Sequence, residues 1–140
     1  MRQERNQCSA PPRFDQGAYL FFDTETAGLP RHRNAPVDDA RAWPRLVQIA
    51  WLLCDDGGCI ARQDCFVVRP DGFTIPPDAV RVHGITNDLA LRSGVPLQVA
   101  LDGFREATAR SSTVVAHNMA FDGAVVAAEC ARSGVANPLS

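Results

Sequence analysis

Asp23-Thr24-Glu25 is the triplet in this chain best suited to chemistry. It closes a short apolar run, Tyr19 to Asp23, that reads as a buried strand. Residues two apart on a strand share a face, so both carboxylates project together. Two like charges held at the end of a buried strand need a cation or a raised pKa. Hard divalent cations such as Mg²⁺ or Mn²⁺ suit oxygen ligands, and Mg²⁺ typically takes one or two carboxylates plus substrate phosphates. By itself the triplet also fits a solvated strand end with two ordinary acids.

A second constellation is His117-Asn118-Met119-Ala120-Phe121-Asp122, directly after another apolar run. Asp122 falls in the first turn of an expected helix, where a carboxylate favours the positive end of the dipole. That placement alone also describes a plain helix-start acid. The third is Val82-His83-Gly84-Ile85-Thr86. Gly84 permits a tight turn and a close backbone approach, and the segment alone also reads as an ordinary helix C-terminus. The cysteines offer a rival chemistry. Cys54-x₄-Cys59 with Cys65 nearby suggests zinc, but no second ligand pair follows at a useful spacing, so buried or hairpin thiols are expected instead.

These residues need elements to position them. Residues 1–17 read as a disordered arm, and 18–140 as one domain. After the first strand, Gly28, Leu29 and Pro30 end the run, and residues 30–44 form a long polar loop of the kind that often carries function. Leu46 to Leu53 is a second strand. Asp55-Asp56-Gly57-Gly58 is a hairpin signal, and Cys59 to Val68 returns as a third strand, antiparallel to the second. Pro77 suits the first turn of a short helix, and Thr86 suits the cap of another. Leu97, Ala100, Leu101, Phe104 and Thr108 follow an amphipathic helical pattern, with Glu106 and Arg110 as an i, i+4 pair. Thr113 to Ala116 is a fourth, buried strand. Asn118 caps a helix that Gly134 stops. The order predicts an α/β fold: a mixed sheet, with an antiparallel three-strand meander plus a parallel strand, and flanking helices.

Composition narrows the classes. At 140 residues, 46% hydrophobic and 21% charged, the chain has the balance of one globular domain. No apolar run approaches the ~18 residues of a membrane span. The first residues lack the apolar stretch of a secretory signal, and the odd cysteine count favours a reducing, cytoplasmic setting. The formal net charge of -2 argues only against a grossly basic DNA-coating protein. All 14 basic residues are arginine, the better fork for phosphate, though GC-rich codon usage gives the same bias.

In the order FFDTETAGLP, VHGIT and VVAHNMAFD, the three constellations resemble the DnaQ-like (DEDDh-type) 3′→5′ exonucleases of the ribonuclease H-like fold, which include the proofreading subunit of bacterial replicative polymerases. The likeness runs from about Tyr19 to the end. It implies that Asp23 and Glu25 are the first acidic motif and Asp122 the second. All three would be catalytic and would hold two divalent ions, Mg²⁺ or Mn²⁺. It implies that Leu29 wedges between terminal bases and that His83, Gly84 and Ile85 lie beside the last nucleotide. Thr24, Thr26, Asn118 and Phe121 would join them in binding nucleic acid. The implied activity is removal of nucleoside monophosphates from a 3′ end of DNA, in proofreading or repair. The implied partners are that 3′ end, of DNA or RNA, and a DNA polymerase subunit.

One departure stands beside the match. The family's third motif is a histidine followed a few residues later by an aspartate. After Asp122 this sequence holds one acid, Glu129, and no histidine. The expectation is a chain lacking the family's last strand and helix, and nearly inactive by itself. Two other readings stay open: a catalytically inactive nucleic-acid-binding or polymerase-associated module, and a 3′→5′ exoribonuclease of the same fold. The geometric expectation is that Asp23, Glu25 and Asp122 converge to within roughly 4–8 Å, a span that a metal or a bridging water covers.

Overall fold

The computed structural model describes residues 10–13, 18–32 and 34–140. The arm expected over residues 1–17 lies, apart from 10–13, outside them. Three strands follow one another: β1 (Ala18–Thr26), β2 (Leu46–Asp55) and β3 (Ile60–Val67). Then come α1 (Pro77–His83), α2 (Asn87–Ser93), α3 (Leu97–Ala109), β4 (Thr113–Ala116) and α4 (Met119–Ser133). The loop before β2, expected to be irregular, contains a short 3-10 helix, Ala40–Ala42, capped by the Asp39 carboxylate on the Arg41 N–H.

The sheet order is β3-β2-β1-β4. β1 pairs antiparallel with β2, and β2 antiparallel with β3, while β1 and β4 run parallel. This is the mixed sheet the sequence predicts. β4 is an edge strand, half-buried rather than fully buried as expected. The alternation along β1 fixes its faces. Ala18, Leu20, Phe22 and Thr24 are buried, whereas Tyr19, Phe21 and Asp23 face outward. Residues paired across strands share a face, so Phe21 with Leu52, Asp23 with Ala50 and Glu25 with Gln48 line the open side.

α3 and α4 cover the other side. α3 buries Ala100, Leu101, Phe104 and Ala107. Phe104 sits 4.9 Å from Phe22 and 5.7 Å from Trp51, ring centre to ring centre, both tilted as aromatic pairs prefer. Gly103 lets α3 approach closely, since a Cβ there would stand 3.2 Å from both Trp51 and Phe66. The Glu106–Arg110 pair does not form. Glu106 instead meets Arg62 of β3 at 3.4 Å, a tertiary partner displacing the local one. A smaller apolar cluster, built on Val47, Ile75, Ala79, Ile85 and Ala90, anchors α1 and α2. Among the described residues no helix is long and apolar enough to cross a membrane.

The β2–β3 turn follows the Asp-Asp-Gly-Gly signal and is organised by Asp55. Its carboxylate accepts from the N–H groups of Arg13, Gly57 and Cys59 at 2.8–3.0 Å. These donors, that of Arg13 foremost and then that of Cys59, hold the carboxyl below the usual carboxylate range. A carboxyl whose pKa is depressed by folding stabilises the fold above its unfolded value, about 3.9. That stabilisation is lost as pH falls through the lower folded value. Asp55→Asn should therefore lower the melting temperature at pH 7 and flatten its fall between about pH 4 and pH 2. Parallel melting curves for both chains would refute the assignment. Beside this turn Cys59 is disulfide-bonded rather than the expected free thiol, whereas Cys54, Cys65 and Cys130 are free.

Candidate active site

β1 ends where the chemistry begins. Asp23 is exposed and Glu25 half-buried, both on the open face. Between them Thr24 points the other way, and its hydroxyl donates to Asp122 Oδ1 at 2.6 Å. Asp122 is 3% exposed and also accepts from its own helix start, the Asn118 N–H, at 3.3 Å. α4 begins here because the Asn118 side chain accepts from the Phe121 N–H, leaving the first turn ready for an acid.

The structure thus brings Asp23 and Glu25 together and leaves Asp122 joined to the same strand from its helix-covered side. Among the described residues no three carboxylate, histidine or cysteine side chains lie close enough to hold one metal ion. Asp23 and Glu25 share the open face, and Asp122 stands against the Thr24 hydroxyl between them. Asp122 is held there by two donors, the Thr24 hydroxyl and the Asn118 N–H. The pair itself suits a hard divalent ion, which needs only one or two carboxylates when substrate phosphate and water fill the remaining positions.

The other expected residues ring this end of the sheet. Thr26 donates to the Gly28 carbonyl at 2.7 Å, turning the chain so that Leu29 stands 83% exposed. In the turn after α1, Gly84 adopts φ +77°, a conformation that favours glycine. This lets the Ile85 N–H donate to His83 Nδ1 at 3.0 Å, while the Ile85 side chain is buried. The bond makes Nδ1 the acceptor, so the ring proton of the neutral imidazole sits on Nε2, which is buried and has no partner among the described residues. Phe121 packs on Trp43, ring centres 6.1 Å apart, and Asn118 is occupied as a cap.

Sequence reasoning missed two features. One is a trough of about 500 Å³ on the open face, lined by Phe21, Asp23, Leu52 and Cys65. The other is Glu129, fully buried, which accepts from Arg45 Nε at 2.9 Å and the Leu46 N–H at 2.8 Å, with Arg132 at 3.2 Å. A lone acid inside the apolar stretch AVVAAECA was the available signal.

Known proteins resemble this chain in sequence and in fold. The exonuclease family model RNase_T matches residues 20–138. Ribonuclease T of Actinobacillus pleuropneumoniae is 32% identical over 123 residues, covering 81% of this chain and 53% of that protein. Ribonuclease T of Haemophilus influenzae is 29% identical over 126 residues, covering 83% and 52%. The chain therefore spans about half the length of the curated relatives it matches. Among solved structures, exonuclease I from Methylocaldum szegediense superposes with a TM-score of 0.64 at 22% identity, over 78% of this chain and 22% of that one. E. coli exonuclease I, solved with a dT13 oligonucleotide, gives 0.64 at 24% identity, over 79% and 22%. These likenesses establish the ribonuclease H-like arrangement of the sheet and its helices. With the family model matched over most of its length, the chain belongs to the RNase_T exonuclease family of DnaQ-like domains.

Proposed function

We propose that this chain carries the metal-binding half of a 3′→5′ exonuclease site and releases nucleoside monophosphates from the 3′ end of a nucleic acid. The observation that carries the reading is the Asp23–Glu25 pair, two carboxylates on one open face at the end of a buried strand. A bound Mg²⁺ or Mn²⁺ pair would supply an activated water and charge stabilisation of the leaving oxygen. Asp23 and Glu25 would hold those ions. Asp122 orients them from behind, because its bond to Thr24 fixes the backbone between the two ligands. Leu29 offers an apolar edge against the base of the terminal nucleotide, and the His83-Gly84-Ile85 turn would lie beside it.

DNA is the first substrate of this reading, in proofreading or repair. RNA is the second, favoured by the name Ribonuclease T that both curated relatives carry. The 140 residues hold no histidine beyond His117 to take a proton from the attacking water. General-base catalysis contributes about 10²–10⁴-fold, so these residues alone should turn over slowly. The test is a side-by-side time course on labelled single-stranded DNA and RNA of one sequence, at micromolar protein with Mn²⁺. Stepwise loss from the 3′ end supports the reading, and the faster strand names the substrate. Binding to both strands without digestion of either would leave the inactive binding module as the function.

A further inference from the structure

We propose that a cleft beside the carboxylate pair, walled by Arg31, Arg41, Arg45 and Arg132, seats a backbone phosphate of the substrate a few nucleotides from the bond being cut. The inference rests on the exonuclease reading above and deepens it by saying where the strand runs.

The cleft encloses about 280 Å³ between the β1–β2 loop and α4, with Leu29 and Trp43 completing its wall. Among the described residues its wall contains four arginines and no acid. Among the described residues the carboxylate that pairs with these arginines is Glu129, shared by Arg45 and Arg132. Arg31 and Arg41 carry no ion pair among the described residues, in a chain whose formal net charge is -2.

The arginines divide by role. Arg45 and Arg132 form the floor. Arg45 is fixed by Glu129 and by stacking 4.5 Å over the Phe73 ring. Arg132 bonds the carbonyls of Ala40 and Trp43 through Nη2. Its buried Nη1 stands 3.2 Å from Glu129 as an ion pair, yet forms no hydrogen bond among the described residues. A buried donor without an aligned acceptor costs free energy that an anion would relieve. Arg31 and Arg41 form the exposed rim. Their side chains make no ion pair among the described residues, and the Arg31 N–H bond to the Ala42 carbonyl at 2.8 Å ties together the two segments that carry them along the cleft wall. Planar forks beside one another match the oxygens of a phosphodiester.

Position selects nucleic acid as the occupant. Leu29 lies four residues after Glu25, at most about 14 Å of extended chain. The Ala27 N–H also bonds the Arg45 carbonyl at 2.9 Å, tying the cleft to the strand that carries both carboxylates. A strand whose 3′ end lies at Asp23 and Glu25 thus reaches this basic cleft on the Leu29 side.

The test is equilibrium binding of a fluorescent twelve-nucleotide single strand in EDTA, so that no turnover intervenes, across a salt series. For single strands, log K falls with log salt by about 0.7 per phosphate neutralised. The Arg31→Ala, Arg41→Ala double variant should flatten that slope by about 0.7–1.4 and bind several-fold more weakly at low salt. Arg110→Ala, a cation outside the cleft, should leave the slope unchanged. An unchanged slope in a double variant that melts like the wild type overturns the proposal, as does failure of the wild type to bind. A polyglutamate peptide that binds the wild type more tightly than the oligonucleotide, and loses that affinity in the double variant, would assign the cleft to an acidic protein segment instead. Digestion assays separate the two readings. If the exonuclease reading fails, digestion is absent while the slope change persists; if the cleft fails, digestion proceeds and the slope does not move.

Discussion

Asp23→Ala should lower metal-dependent digestion of a 3′ end by about 10²–10⁴-fold while leaving the fold intact. A metal-ion site contributes several kcal/mol of transition-state stabilisation, and each 1.36 kcal/mol is tenfold in rate. Asp23 is the clean probe because it is exposed and its carboxylate makes no hydrogen bond or ion pair among the described residues. Asp122 is not clean, since its removal would strand the buried Thr24 hydroxyl and disturb β1 as well as the site. The check is a rate comparison with Mn²⁺ alongside thermal melts of both chains. Digestion by Asp23→Ala at the wild-type rate would remove the carboxylate pair from the mechanism.

Glu129→Ala should cost about 3–5 kcal/mol of stability, the usual penalty for removing one partner of a buried ion pair. Three groups depend on this carboxylate: the Arg45 guanidinium, the Leu46 N–H and the Arg132 guanidinium. Its loss leaves two cations facing each other and an unpaired donor at the start of β2. A small domain is stable by only about 5–15 kcal/mol, so the melting temperature should fall by on the order of 10–20 °C. Glu129→Gln keeps an acceptor for the Leu46 N–H and should cost less. A thermal melt followed by circular dichroism decides, and a fall of only one or two degrees for the alanine variant would show that the arginines find other partners.

Much of the fold was legible because its signals are local. Short apolar runs marked β1 and β2, the Asp-Asp-Gly-Gly signal marked their hairpin partner, and Asn118 and Gly134 bounded α4 by cap chemistry alone. The same-face geometry of Asp23 and Glu25 followed from strand periodicity. What escaped was set by contacts between distant residues. Thr24 and Asp122 are 98 positions apart, and nothing in a D-T-E triplet says that its middle residue captures the third acid. Arg62 took Glu106 from Arg110 across a 44-residue separation. Glu129 looked like a leftover acid because its partners, Arg45 and Leu46, lie more than eighty positions earlier. The 3-10 helix Ala40–Ala42 is a single turn, too short for any periodicity to show.

Whether the carboxylate pair at the end of β1 drives metal-dependent removal of nucleotides from a 3′ end can be read from one gel. A 5′-labelled single strand is incubated with micromolar wild-type chain and Mn²⁺, and its products are resolved to single nucleotides over time. A slow ladder should appear, shortening one nucleotide at a time from the 3′ end and abolished by EDTA and by Asp23→Ala. Internal cuts, shortening from the 5′ end, or a ladder that survives Asp23→Ala would contradict that role for the pair.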